Sequence, residues 1–103
     1  SLVLDKNHNL ISASGDSSIK MWDMQTHSCI KTLKGHLNHV NALVFDSADH
    51  LISCSSDYTI KFWNLETSKV MKTFSDHKNV VYCLAINKTK NYLFSGSYDN
   101  TIR

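Results

Sequence analysis

The sequence predicts an all-β fold built as a repeat, on three observations. The first is a fixed period. Trp22 and Trp63 are 41 residues apart, as are His36 and His77, and the series Asp16, Asp57, Asp99 and Leu10, Leu51, Leu93 step by 41 and 42. A period in the forties marks a chain of like supersecondary units and governs every local reading. The second is short runs in which apolar and polar residues alternate, separated by polar turns, as half-buried strands require. The third is the absence of proline and the presence of only three glycines, so that no linker interrupts the pattern.

Taken in order, residues 1–4 read as the end of a strand and 5–8 as a polar turn. Residues 9–14 form the next strand, with Leu10, Ser12 and Ser14 on one face and Ile11 and Ala13 on the other. The chain turns at 16–18, runs as a strand over 19–23, turns at 24–26 and runs again over 28–33. The pattern then restarts, with strands over 40–45, 51–55, 60–64 and 69–74. A third unit opens with 80–86. Its turn at 87–91 is one residue longer, which accounts for the 42-residue step. It continues over 92–97, and residues 101–103 begin its third strand. No helix longer than one turn is expected.

At 103 residues the chain is at most one ordinary domain. Hydrophobic residues make up 42% and charged residues 19%, enough to build a core and too few charges for a disordered chain. A formal charge of +2 argues against nucleic acid or an anionic membrane as partner. No apolar run approaches the roughly 18 residues of a membrane span, and Asp5 and Lys6 interrupt the opening Ser-Leu-Val-Leu, unlike a secretory leader. Cys29, Cys54 and Cys83 are odd in number and lack Cys-x-x-Cys spacing, against a disulfide framework or zinc site. They sit among apolar residues, as buried free thiols do. Reduced cysteines lead us to expect an intracellular protein, in the cytoplasm, with the nucleus left open. The histidines show no metal spacing, and no cofactor is implied.

The residues that carry the period form three recurring groups. Gly35-His36 is matched by Asp76-His77. Trp22-Asp23 is matched by Trp63-Asn64. Between them fall Ser-Ala-Ser-Gly-Asp at 12–16, Ser-Cys-Ser-Ser-Asp at 53–57 and Ser-Gly-Ser-Tyr-Asp at 95–99. Together they resemble the WD-repeat (WD40) β-propeller family over essentially the whole chain. The resemblance implies blades, each a four-stranded antiparallel sheet, set radially about a central channel. It implies one complete blade, 35–75, flanked by partial blades at 1–34 and 76–103. The first would lack most of its inner strand and the last its second half. Because blades bury their faces against neighbouring blades, so few would leave apolar faces open. The expectation is a fragment of a longer propeller, seven-bladed by family habit, completed by further blades of the same chain. A homo-oligomeric ring of several copies is the less favoured alternative.

A serine, a histidine and an aspartate converging in one blade invite a hydrolase reading. The resemblance implies instead a structural hydrogen-bonded tetrad of His36, Ser53, Asp57 and Trp63. Its parts recur as Ser12, Asp16 and Trp22, and as His77, Ser95 and Asp99. In it Asp57 accepts from the imidazole and from backbone N–H groups, His36 passes the bond to the Ser53 hydroxyl, and the Trp63 indole donates to that oxygen. A triad would also need an oxyanion hole and a pocket, and would not recur once per sheet. No catalytic residue is therefore expected.

Two function classes follow. The first is a non-enzymatic scaffold that binds partner proteins or peptides. The second is a targeting or substrate-recruiting propeller of a larger multidomain enzyme or complex whose catalytic part lies outside these residues. The resemblance implies docking on the channel rim at three positions per blade: His39, Asn41 and Ser56 in the middle blade, Val80, Tyr82 and Tyr98 in the next, and Gly15 in the first. Tyrosine combines contact area with a polar tip. None of these positions is an arginine or an acid, so neither a phosphopeptide pocket nor a methyl-lysine cage is indicated. Lys6, Lys69, Lys72, Lys78, Lys88 and Lys90 are expected in turns and on the outer strand, where charge keeps an edge soluble.

Overall fold

Short polar side chains cut the chain into strands. Asp5 Oδ1 accepts from the backbone N–H groups of Asn7 and Asn9, both at 2.8 Å. Asp46 Oδ1 does the same for Ala48 and His50 at 2.9 and 2.8 Å. Asp23 Oδ1 takes Gln25 and Thr26 at 2.7 and 3.2 Å, and Asn64 Oδ1 takes Glu66 and Thr67 at 2.9 and 3.2 Å. Each carbonyl or carboxylate oxygen supplies the acceptor that the ladder loses at the turn. Asn64 can stand where its counterpart is Asp23 because the position needs that acceptor and not a charge. One residue in each turn then adopts the left-handed conformation: His8, Asp49 and Asn91; His27 and Ser68; Ser17, Tyr58 and Asn100.

The computed structural model describes residues 1–103 and contains strands without any helix. β1 (Leu2–Leu4), β2 (Leu10–Ala13), β3 (Ile19–Asp23) and β4 (Ser28–Leu33) form one four-stranded antiparallel sheet in sequence order. β5 (Val40–Phe45), β6 (Leu51–Ser55), β7 (Ile60–Asn64) and β8 (Lys69–Phe74) form a second of the same order. β9 (Val81–Asn87) and β10 (Tyr92–Ser97) pair as a third. The short β1 still pairs along its length, Val3 opposite Ile11. β9 begins one residue later than the sequence implied. The Val80 N–H is taken by Asn79 Oδ1 at 2.8 Å, and its carbonyl accepts from Tyr98 N–H at 3.0 Å, outside the β9–β10 ladder. Residues 101–103 reach β10 only through an isolated bridge between Gly96 and Ile102.

The sheets stack face to face. Ile11, Ile19, Met21 and Leu33 of the first meet Val40, Leu43, Leu51 and Trp63 of the second in one core. Ile52, Cys54 and Ile60 on the reverse of the second sheet meet Val81 in another, joined by Leu84, Ile86 and Leu93. β6 is therefore buried at every residue, because its two alternating faces serve two cores. β1, β5 and β9 are neighbours across the sheets, whereas β4 and β8 lie on the far edges, so the sheets fan outward from their first strands. The expectation of three buried thiols is corrected. Cys54 is buried, but Cys29 and Cys83 are exposed. Cys29 lies on the outward β4, and Cys83 lies among the exposed residues of β9.

Candidate functional site

The turn after β6 and the segment before β5 meet at the same end of the middle sheet, and there the period-carrying residues converge. The Trp63 indole N–H donates to Ser53 Oγ at 2.7 Å. Ser53 Oγ lies 2.7 Å from His36 Nε2, and His36 Nδ1 lies 2.9 Å from Asp57 Oδ2. A proton on Nδ1 satisfies the whole chain, with the imidazole donating to the carboxylate and the serine hydroxyl donating to Nε2. The third sheet repeats it, with His77 at 2.9 Å from Asp99 and 2.7 Å from Ser95. In the first sheet the Trp22 indole donates to Ser12 Oγ at 3.0 Å, and Asp16 closes the following turn.

Sequence reasoning missed two further members. The residue two places after each aspartate carries a hydroxyl, and Ser18, Thr59 and Thr101 all donate it to their aspartate. The serine two places before each aspartate accepts that residue's N–H: Ser14 at 3.1 Å, Ser55 at 3.0 Å and Ser97 at 3.1 Å. Ser55 and Ser97 also donate to the carbonyls of Asn38 and Asn79. Both positions follow the repeat, so the period alone could have found them.

These contacts set the electrostatics. Burial opposes ionisation of Asp57, but hydrogen bonds from the Thr59 hydroxyl, the Leu37 N–H, His36 and the Thr59 N–H outweigh it and hold the carboxyl down at about 2. Burial lowers the pKa of His36 against the raising effect of Asp57, so the imidazole is neutral at pH 7. Burial pushes the Cys54 thiol up to about 12, which leaves no thiolate. Ser53 is fully buried, bonded on both sides and closed off from any substrate. No buried side-chain nitrogen or oxygen lacks a partner. The polar atoms of the set are thus engaged within the fold.

The glycine before His36 has a steric cause. A Cβ on Gly35 would sit 2.9 Å from Trp63 Cη2 and 3.3 Å from Val70 Cγ2. Trp63 is pinned through its indole N–H and cannot give way. Gly35→Ala should cost about 1–3 kcal/mol by overpacking, read as a drop in melting temperature of the full-length protein.

The positions at which the resemblance implies docking make these contacts. The rings of Tyr82 and Tyr98 lie 4.9 Å apart, tilted by 30°, and are 46% and 65% exposed. Val80 is joined to Tyr98 through the backbone. Asn41 reaches across the blades, its amide donating to Ser56 Oγ at 3.1 Å and to the Val81 carbonyl at 2.9 Å. Ser56 N–H donates to the carbonyl of exposed His39 at 2.9 Å. Gly15 lies exposed in the first blade with open space about it. The lysines at 69 and 72 stand exposed on β8, at the far edge.

The model of the WD domain, G-beta repeat, matches residues 1–23, 27–64 and 68–103. The chain is similar to an F-box protein of Saccharomyces cerevisiae, 38% identical over 39 residues, which are 38% of this chain and 6% of that protein. It is similar to coatomer subunit beta'-1 of Arabidopsis thaliana, 50% identical over 34 residues, 33% of this chain and 4% of that one. The matched stretches are thus a small part of those relatives' length. The crystal structure of the WD40 beta propeller domain of Doa1 superposes with a TM-score of 0.93 at 24% identity, over 100% of this chain and 34% of that one. That likeness speaks for the fold alone.

Proposed function

This chain belongs to the WD-repeat (G-beta repeat) family, and we propose from that premise that it serves a non-enzymatic scaffold which takes partner proteins or peptides on the loop-bearing channel rim. The observation that carries the reading is the exposed Tyr82–Tyr98 pair. Two tilted rings with free hydroxyls, beside Val80 and with no charge among the rim positions, suit a peptide anchored by apolar side chains better than a phosphate or a basic tail. The sealed Ser53–His36–Asp57 set supports a binding role over a catalytic one.

Tyr82→Ala and Tyr98→Ala should each weaken partner binding by about 1–2 kcal/mol with little change in melting. Lys69→Glu and Lys72→Glu, at the far edge, should leave binding intact. Quantitative capture of partners from lysate by the four full-length variants tests the map. Loss with the lysine variants and retention with the tyrosine variants would move the binding face elsewhere.

A second reading is favoured by the likeness to long relatives, one of them an F-box protein, of which these repeats are a small part. Here the propeller recruits substrates or targets for a larger enzyme or complex whose catalytic part lies outside these residues. Activity that persists in the parent chain when these repeats are excised, but loses its protein substrate, would favour it.

A further inference from the structure

We propose that Asn41 and Ser56 form a hydrogen-bonding step beside the tyrosine pair, which takes the carboxamide head of an Asn or Gln that a partner segment carries close to its apolar anchor. This rests on the reading of Tyr82 and Tyr98 as the seat of that anchor and names a second group of the same partner.

The Asn41 amide can be oriented in only one way. Its nitrogen donates to Ser56 Oγ at 3.1 Å and to the Val81 carbonyl at 2.9 Å, which uses both of its hydrogens. The Val81 carbonyl can only accept, so turning the amide over would set oxygen against oxygen. Asn41 Oδ1 is therefore fixed in direction, and no group of the protein donates to it. No buried side-chain nitrogen or oxygen lacks a partner, so Oδ1 is open to solvent. Ser56 Oγ accepts from Asn41 and donates to no protein group, which leaves its hydroxyl hydrogen free to give. The two linked side chains thus offer one acceptor and one donor together.

The repeat shows that the fold does not require this pair. Asn41 lies five residues after His36 and Tyr82 five after His77, while Ser56 directly precedes Asp57 and Tyr98 directly precedes Asp99. The places that hold a polar pair in the middle blade hold two tilted tyrosine rings in the next. The bond from Asn41 ends on Val81, the residue before Tyr82, so the two pairs adjoin across the blades. An amide already held by both hydrogens loses no further side-chain freedom when a partner arrives.

The partner group follows from this valence. An incoming carboxylate would set its oxygens against Asn41 Oδ1. An incoming cation would find no free carboxylate, because Asp57 beside Ser56 is engaged by His36, by the Leu37 N–H and by Thr59. A backbone peptide unit is trans and points its N–H and its carbonyl in opposite directions. A primary carboxamide gives an N–H and takes an O–H on one planar head. It is the neutral side chain that matches both groups at once.

The test selects a displayed library of random short peptides on the full-length protein. Enriched peptides are then remade with Gln replaced by Met or Asn by Leu, which keeps the volume and removes the polar head. We expect enriched peptides to pair an apolar residue with a nearby Asn or Gln, and the replacement to weaken binding to wild type about tenfold. On Ser56→Ala and on Asn41→Ala the same replacement should weaken binding by no more than about threefold, because a group the carboxamide met is gone. Each pair of peptides is compared on one protein, so any loss of stability in a variant cancels. No enrichment, enrichment without Asn or Gln, or an equal penalty on wild type and both variants would overturn the inference. Peptides that lack a carboxamide and are lost by Tyr82→Ala and Tyr98→Ala would overturn it and leave the tyrosine reading standing. Peptides that show the expected penalties yet bind Tyr82→Ala and Tyr98→Ala as tightly as wild type would support the Asn41–Ser56 site and count against the tyrosines.

Discussion

Trp63→Ala should destabilise the full-length protein by about 3–5 kcal/mol, the largest loss expected of any single substitution here. Trp63 is fully buried in the core between the first and second sheets, against Leu51 and Ile11 among others. Removing the indole leaves a cavity that neighbours on two different sheets cannot collapse to fill. It also takes the donor from Ser53 Oγ, and the edge-on contact with the His36 ring, whose centroid lies 6.1 Å away. Trp63→Phe separates the two losses. It keeps most of the apolar volume and forfeits the indole bond, and should cost about 1–2 kcal/mol. Urea unfolding of both variants gives the comparison. If phenylalanine cost as much as alanine, the hydrogen bond rather than the packing would dominate the position.

Most of this arrangement is legible in the sequence because the repeat states each element more than once. The strand positions follow from residues whose spacing is the same in each unit, and the four-stranded sheets and the convergence of His36, Ser53, Asp57 and Trp63 from the family resemblance those residues carry. Within a single unit less is visible. Cys29 and Cys83 stand in strands as apolar as that of Cys54, yet burial depends on which face meets another sheet. Alternation within one strand cannot say that. Thr59 and Thr101 escape a local reading although they obey the period, because a hydroxyl in a turn looks like ordinary turn chemistry. The left-handed backbone at Tyr58 is hidden for a different reason. Its counterparts are serine and asparagine, and nothing in a tyrosine announces that conformation.

Asp57→Asn should cost nearly as much as Asp57→Ala, about 1–3 kcal/mol at pH 7. Asparagine can keep one oxygen for the Thr59 hydroxyl and N–H. Its amide nitrogen must then stand where Oδ2 stood, facing the N–H groups of His36 and Leu37, both donors. Turning the amide over moves the conflict to Thr59. The pH dependence separates the charge of this side chain from its shape. The folded pKa of Asp57 is lowered to about 2 from an ordinary 3.8. Its stabilising effect is therefore complete above about pH 4 and is lost as pH falls toward 2, where the folded carboxylate finally protonates. His36 adds loss from higher pH. Burial lowers its folded pKa below 6.5, so the unfolded chain takes up a proton first as the medium acidifies, and folding weakens. Both proteins should weaken in the lower range through the other aspartates, Asp16 and Asp99 among them, whose carboxyls are also held down, but only wild type should lose the Asp57 contribution there. Urea midpoints compared from pH 7 downward should show a gap between the two proteins that stays level to about pH 5 and narrows below pH 4. Parallel curves across that lower range would mean that the Asp57 charge contributes nothing, and that shape alone holds the turn.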